Sequence, residues 1–210
     1  MLPPDTKDRI LDAAERLFAR HGFHNTSLRA ITSEAGANVA AVNYHFGSKD
    51  ALIEAVFGRR LEPLNRERMD RLRALRRTAA DLGRAPAVEE VVRAFVEPTL
   101  RFRDTAPGAR EFVFLVGRAL FEPDDAIRSV FFRLMEPVFR EFMAALGEGL
   151  PDLAPAELFW RMQLGMGATA RAMCLPGEPE LAPPQVRGPL EGEEAVRMLV
   201  SFVVAGLRAP

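Results

Sequence analysis

The stretch Thr26-Ser-Leu-Arg-Ala-Ile-Thr-Ser-Glu-Ala-Gly-Ala-Asn-Val-Ala-Ala-Val-Asn-Tyr-His-Phe-Gly-Ser-Lys-Asp-Ala51 decides the fold. Leu28, Ile31 and Ala35 recur at helical spacing on one face, and Thr26 stands where a side-chain oxygen can accept from the free amides that open a helix. Gly36 reaches the left-handed conformation at low cost, so the chain can reverse within a few residues and start again at Asn38. In the second helix Val39, Val42 and Phe46 are expected to point inward. The opposite face carries Ala40, Ala41, Asn43, Tyr44 and His45, small enough at its start to enter a major groove roughly 12 Å wide. Ser48 then caps a third helix, with Lys49 beside an amide-rich N-terminus that suits a phosphate. Two short helices joined by a tight turn make a helix-turn-helix, and sequence-specific DNA binding is the leading expectation.

Upstream, Ile10, Ala13, Ala14, Leu17 and Phe18 give another helix its core stripe, which Gly22 ends. With this helix in place the sequence resembles the N-terminal domain of the TetR family of bacterial transcriptional regulators, from about Lys7 to Val56. Arg9-Ile-Leu-Asp-Ala-Ala-Glu-Arg-Leu-Phe-Ala-Arg-His-Gly-Phe resembles the family's first helix, and Thr26-Ser-Leu-Arg-Ala-Ile its second. Val39-Ala-Ala-Val-Asn-Tyr-His-Phe-Gly-Ser-Lys-Asp-Ala-Leu resembles the recognition helix and the opening of the fourth.

The resemblance implies an all-α fold. An N-terminal three-helix, helix-turn-helix DNA-binding domain would occupy residues 1–50, extending into the helix that starts at 48. A helical effector-binding and dimerisation domain would occupy 51–210. It also implies phosphate contacts for Thr26, Ser27 and Lys49, with Tyr44 and His45 at the DNA backbone or a base edge. Asn38, Ala40, Ala41 and Asn43 would face the groove, and Arg29 joins the candidate DNA-binding set. The two alanines offer only apolar contact to a thymine methyl, whereas Asn43 can bond a base edge or a phosphate. The implied partners are a double-stranded operator, a second copy of the chain and a small-molecule effector.

Length and composition agree with this division. The chain has 210 residues, of which 48% are hydrophobic, enough for a substantial core. Its formal net charge of −1 says little about DNA, because only one small face would meet the duplex. Arg59, Arg60, Arg66, Arg68, Arg71, Arg73, Arg76 and Arg77 crowd one stretch, offset by Glu62, Glu67 and Asp70. They read more readily as the solvated face of a long linking helix than as phosphate contacts. Cys174 is the single cysteine, so no intrachain disulfide can form and a reducing cytoplasm is expected. No apolar run reaches the roughly 18 residues of a membrane span, and the first residues lack secretory character.

Beyond the head, helical periodicity dominates. A long helix is expected over Ala51 to Leu75 with a bend near Pro63, and another over Val88 to Arg103 with a kink or split at Pro98. Further helices should run from Pro107 through Leu120, from Pro123 and Asp124 to about Leu146, from Pro155 to Met173, and from Glu193 to Leu207. Leu175 to Glu191, rich in proline, glycine and glutamate, reads as a loop. Leu158, Met162, Gly165, Met166 and Thr169 form one stripe, and Val196, Leu199, Val200, Val203 and Val204 another. These stripes either close the monomer's core or pair with their copies in a four-helix bundle, the dimer mode that the resemblance implies. On the second reading Leu158, Met162, Gly165 and Thr169 form the interface together with Val196, Leu199, Val200, Val203 and Val204.

Phe95, Phe102, Phe114, Phe121, Phe132, Phe139, Trp160, Met135 and Met166 are core residues on general grounds, yet together can line a cavity for a flexible apolar guest. Arg118 lies inside Phe112-Val-Phe-Leu-Val-Gly-Arg-Ala-Leu-Phe, where an unpaired cation is costly. It either pairs with Glu122 or Glu136 or faces a ligand carboxylate or phosphate, and Arg171 offers the same choice. In Ala41-Val-Asn-Tyr-His-Phe-Gly-Ser-Lys and Pro155-Ala-Glu-Leu-Phe-Trp-Arg the chain also looks similar to TetR regulators that sense fatty acids or acyl-CoA, which implies a long-chain acyl effector; planar aromatic or drug-like ligands are the alternative. A ligand that prefers a splayed dimer would then weaken operator binding. No catalytic constellation, cofactor motif or metal-ligand pattern is apparent: His21, His24 and His45 lack metal-site spacing, and Cys174 lacks a nearby histidine. An enzyme and a carrier without DNA recognition are the weaker readings.

Overall fold

The computed structural model describes residues 5–120, 125–174, 183, 185 and 190–210, without the side chains of Arg118, Leu120, Asp125, Ala126 and Cys174. The described residues form nine helices and no strand: α1 Thr6–His21, α2 Leu28–Ala35, α3 Val39–Phe46, α4 Lys49–Asp81, α5 Val88–Thr105, α6 Ala109–Leu120, α7 Asp125–Gly149, α8 Pro155–Cys174 and α9 Gly192–Leu207. Pro63, Pro98 and Pro137 lie inside α4, α5 and α7, none of which is divided. The split expected at Pro98 is therefore absent. A missing amide removes one ladder bond, and the apolar packing of α5 on both sides of Pro98 holds the helix together. Most of the segment expected as a loop between 175 and 191 lies outside the described residues.

The chain divides into two compact units: Met1–Pro63 with Arg110–Leu134, and Leu64–Ala109 with Met135–Pro210. In the first, α1, α2 and α3 pack against one another. Ile10, Ala14 and Phe18 of α1, Ile31 of α2, Val42 of α3 and Leu52 of α4 are all fully buried. A run of rings continues this core. Phe18 meets Phe23 at 5.4 Å between centroids and Phe23 meets Phe57 at 5.8 Å. Phe57 then meets Phe112 at 6.4 Å and Phe131 at 6.0 Å. Of the inward positions expected on α3, only Val42 is buried; Val39 is 38% exposed and Phe46 half-buried, because an eight-residue helix lying across two others offers them a narrow seam.

Charge fastens α1 to α4. Buried Glu15 accepts from Arg59 at 2.8 Å and from Arg60 at 3.2 Å, while Asp12 accepts from Arg59 at 2.7 Å. Burial works against the Arg59 charge, but Glu15 and Asp12 outweigh it and leave its pKa raised. A carboxylate this deep is tolerated because two guanidiniums occupy its oxygens.

In the second unit α5 packs on α9 and α8 on α9. Val91, Val92 and Leu100 of α5, Leu158 and Met162 of α8, and Val196, Val200 and Leu207 of α9 form the core. Phe95 stacks on Phe142 at 4.3 Å and 20°. A β-carbon at Gly165 would stand 3.1 Å from Val203 Cγ1, so glycine sets the close approach of α8 to α9. Buried Arg103 pairs with Asp104 at 2.6 Å and donates to the Leu190 carbonyl at 3.0 Å, while Asp104 accepts from the Gly192 amide that opens α9. Among the described residues no helix is long and apolar enough to cross a membrane.

Phe57 meets Phe23, Phe112 and Phe131 at the middle of the ring run, so Phe57→Ala should cost about 3–5 kcal/mol of stability. A denaturant midpoint unchanged from wild type would show that these rings do not hold the unit together.

Candidate nucleic-acid interface

The turn before α2 works differently from the sequence expectation. Thr26 is 2% exposed, and its hydroxyl donates toward the carbonyls of Gly22 at 2.7 Å and Leu17 at 3.2 Å. It fastens the turn to the end of α1 and does not cap α2. The cap is Ser27, whose Oγ accepts from the Ala30 amide at 3.1 Å. Threonine's methyl suits a buried site and the smaller, exposed serine suits the cap, so the two roles fall on neighbouring residues. The Thr26 hydroxyl is thereby withdrawn from solvent, whereas Ser27 is exposed and Arg29 lies on the open side of α2.

Gly36 ends α2 in the left-handed region with φ 59° and ψ 38°. Asn38 then opens α3, its Oδ1 accepting from the Ala41 amide at 2.8 Å. Its side-chain oxygen is thus committed to the helix, while its NH2 group faces solvent with Ala40, Asn43 and Tyr44. Tyr44 is 86% exposed and stands edge-on to half-buried His45, centroids 5.0 Å apart. Ala41 is half-buried. Ser48 caps α4 by accepting from Ala51 at 3.1 Å. Half-buried Lys49 donates to the Phe23 carbonyl at 2.6 Å, leaving two of its three ammonium protons for other partners. The result is a helix whose apolar side is held by Val42 and whose outer side presents amides, a small side chain and a phenol.

The aromatic and arginine candidates for an effector site are divided between the two units. Phe95 and Met135 are buried and both touch Arg68, which α4 carries into the interior of the second unit. Phe102, Phe139 and Met166 are half-buried. Phe114 and Phe132, in the first unit, are 43% and 50% exposed, Trp160 is 66% exposed and Arg171 is exposed. The Arg118 side chain and Phe121 lie outside the described residues. The solvated face expected for the arginines of α4 does not include Arg68; with arginines on every side of this helix, the sequence pattern carries no sign of which one turns inward. In the second unit a cavity of about 610 Å3 is lined by Arg73, Arg76, Arg77 and Arg84 with Glu141 and Glu148, and by Ala79, Ala80, Ala85 and Pro86.

The interface stripes need correction too. Leu158, Met162, Thr169, Val196, Leu199, Val200 and Val203 are buried inside the second unit, with Gly165 and Val204 half-buried. They close the chain's own α5–α8–α9 packing and are covered before any second copy arrives. Helical periodicity explains the error. On α8, inward Leu158 and Met162 leave Phe159, Trp160 and Leu164 on the other side; on α9, inward Leu199 and Val200 leave Met198 and Phe202 outward. Those five outward side chains are 42%, 66%, 77%, 48% and 67% exposed.

Comparison with known proteins agrees with this architecture. Residues 10–56 match the family described as bacterial regulatory proteins, tetR family, and residues 93–206 match the tetracyclin repressor-like C-terminal domain. The chain belongs to the TetR family. The HTH-type transcriptional regulator UidR of Escherichia coli K12 is 41% identical over 51 residues, covering 24% of this chain and 26% of UidR. The match thus spans about a quarter of that relative's length. FadR from Bacillus subtilis, solved in complex with stearoyl-CoA, superposes with a TM-score of 0.63 at 15% identity, covering 97% of this chain and 98% of FadR. A Saccharomonospora viridis protein solved in complex with choline gives 0.59 at 21%, covering 94% and 95%. At these identities the structural likeness is one of fold. In TetR terms α3 occupies the recognition-helix position that the sequence resemblance implied.

If Asn38 caps α3 and Tyr44 serves only an outside partner, two substitutions separate. Asn38→Ala should cost about 1 kcal/mol of stability, and Tyr44→Ala should stay within about 0.5 kcal/mol of wild type. Equilibrium denaturation reads both, and a large loss at Tyr44 would place that ring in the folded core.

Proposed function

We propose that this TetR-family protein is a ligand-responsive, DNA-binding transcriptional regulator: a homodimeric repressor released from its operator by a small apolar effector such as a fatty acid or an acyl-CoA. Residues 1–50, extending into the helix that starts at 48, are the DNA-binding head, and 51–210 carry effector binding and dimerisation. The observation that carries the reading is the outer face of α3, where Asn43 and 86%-exposed Tyr44 stand beside Ala40 with no structural task inside the protein. Ser27, Arg29 and the spare protons of Lys49 supply phosphate contacts on its flanks; Asn38 contributes through its NH2 group.

Dimerisation is supported by Phe159, Trp160, Leu164, Met198 and Phe202, a set of exposed large apolar side chains on two helices that pack on each other. A second copy presenting the same face covers it in an isologous contact, and a dimer carries two recognition helices for two half-sites. The apolar effector is supported by the phenylalanine and methionine content of the second unit and by the fold shared with stearoyl-CoA-bound FadR.

The first test is fluorescence anisotropy of a labelled duplex from the protein's own promoter region at fixed salt. Tyr44→Ala should weaken operator binding by about tenfold or more, in line with loss of a contact worth about 1–3 kcal/mol, and a long-chain acyl ligand should weaken wild-type binding. Equal affinity for the operator and a scrambled duplex would remove the DNA-binding reading. In sedimentation equilibrium, Trp160→Glu with Phe202→Glu should convert dimer to monomer; a dimer that survives both charges uses another face.

A further inference from the structure

The guanidinium of Arg68 is buried, the residue being 5% exposed, and it meets only neutral acceptors. Its Nε donates to the Phe95 carbonyl at 2.9 Å, and Nη1 donates to Asn65 Oδ1 at 2.8 Å and toward Met135 Sδ at 3.9 Å. Nη2 donates to Thr99 Oγ1, and Cζ lies 4.7 Å above the Phe95 ring. Among the described residues no carboxylate stands within ion-pair distance of it. The half-buried arginines of the same helix are all matched: Arg59 and Arg60 to Glu15, Arg71 to Glu67 and Glu97, Arg76 to Glu141 and Glu148. Arg68 is the one arginine of α4 taken wholly out of water; the Glu67 charge acts on it from a distance, and among the described residues no carboxylate pairs with it directly.

A buried cation without an anion is costly, and chains seldom keep one without a use. Burial pushes the Arg68 pKa down to about 10 while the charge of Glu67 acts the other way, so at neutral pH the charge stays. A ring face and three neutral dipoles ease the cost without cancelling it. The weakest of its partners is the Met135 thioether, a poor acceptor on an unbranched, flexible side chain that can swing aside. Leu72, Leu100, Val138 and the stacked pair Phe95 and Phe142 are buried in the same unit, an apolar setting.

We infer that Arg68 is the anchor for the effector's head group and that the effector is a free organic acid: a carboxylate pairs with Nη1 in place of Met135 while its apolar body lies against Phe95, which stacks on Phe142, and other buried apolar side chains of the unit. The inference rests on the small apolar effector proposed above and narrows it. An acyl thioester carries no charge at that point, and a quaternary ammonium such as choline is repelled. Arg68 on this account positions and selects the ligand.

The test uses the full-length protein and two tails, each with three heads, measured by calorimetry. The straight tail is supplied as dodecanoate, dodecanol and dodecyltrimethylammonium, below their micelle concentrations; the ring tail as naphthoate, naphthylmethanol and the corresponding trimethylammonium. Wild type should bind the acid about ten- to hundredfold more tightly than the alcohol of the same tail, the range of a charged hydrogen bond, and the ammonium should not bind. Arg68→Gln should abolish that ratio and leave alcohol affinity unchanged. A purely structural arginine would lower the melting temperature of Arg68→Gln without touching the ratio. Should that variant not fold, Arg68→Lys decides, since it keeps the charge and should keep an acid preference. Acid and alcohol binding equally in wild type, or an acid preference intact in Arg68→Gln, overturns the inference. Straight tails bound whatever their head leave the apolar-chain reading standing and remove Arg68; acid preference confined to ring tails does the reverse. Absence of binding by every compound overturns both.

Discussion

An eight-residue helix does not hold its shape in water, so α3 exists only as long as its neighbours hold it. Its single fully buried side chain is Val42, and its two ends are fixed by Asn38 and by Gly47 at φ 79°. Everything the helix presents outward depends on that seam and on the turn that delivers it. At Gly36 the nearest atom to an added β-carbon would be Arg9 Nη1 at 3.6 Å, so there is room for a side chain. The positive φ, and not space, demands glycine there. Beneath the seam, the ring run from Phe18 through Phe57 and the Glu15 clamp on Arg59 and Arg60 make α1 and α4 a stiff base.

Charge in this chain is organised by depth. The net charge of −1 conceals an arginine-rich α4 in which each guanidinium meets its own surroundings. Arg76 sits between Glu148 and Glu141, which together raise its pKa despite some burial, while Arg59 and Arg60 spend their charge on Glu15. At such positions partly exposed pairs contribute modestly to stability and chiefly fix register between helices. Arg68 departs from the pattern because the acceptors around it are a carbonyl, an amide, a hydroxyl and a thioether.

The head was legible because its signals are local. A cap, a glycine and an apolar spacing of three and four residues each act within one or two turns, and the structure has the expected helices in the expected order. Even there, the cap falls on Ser27 and not on Thr26, since a capping oxygen and a buried hydroxyl look alike one residue apart. The second unit was less legible. Leu158, Met162, Val196 and Val200 form apolar stripes whichever copy they pack against, and periodicity alone does not say whose core a stripe closes. Only the three-way packing of α5, α8 and α9 shows that these residues are used inside the chain and that Trp160 and Phe202 are left outside. The burial of Arg68 is illegible for a related reason: in a helix with arginines on all sides, which one turns inward is decided by residues as distant as Phe95, Thr99 and Met135.

A ligand shifts a conformational equilibrium only by the difference in its affinity for the two states, so a sensor needs a group whose energy changes when the ligand arrives. Apolar contacts alone provide this weakly, because the side chains that receive the ligand repack on one another when it leaves. A buried charge is different. With no directly paired carboxylate among the described residues, Arg68 relies on Phe95, Asn65, Thr99 and Met135, and on the inference above an entering carboxylate would displace the weakest of these from the guanidinium. The arrangement of α4 against α5 and α7 that best serves the empty site need not be the one that best serves the filled one. Arg68 shares one undivided helix with Lys49, Arg59 and Arg60, so a change in how α4 is held at Arg68 bears on the same element that the head packs against. On the function proposed above, that common helix would be the covalent link between an effector at Arg68 and the head, with the preference for one state arising at a cation that no carboxylate among the described residues pairs directly.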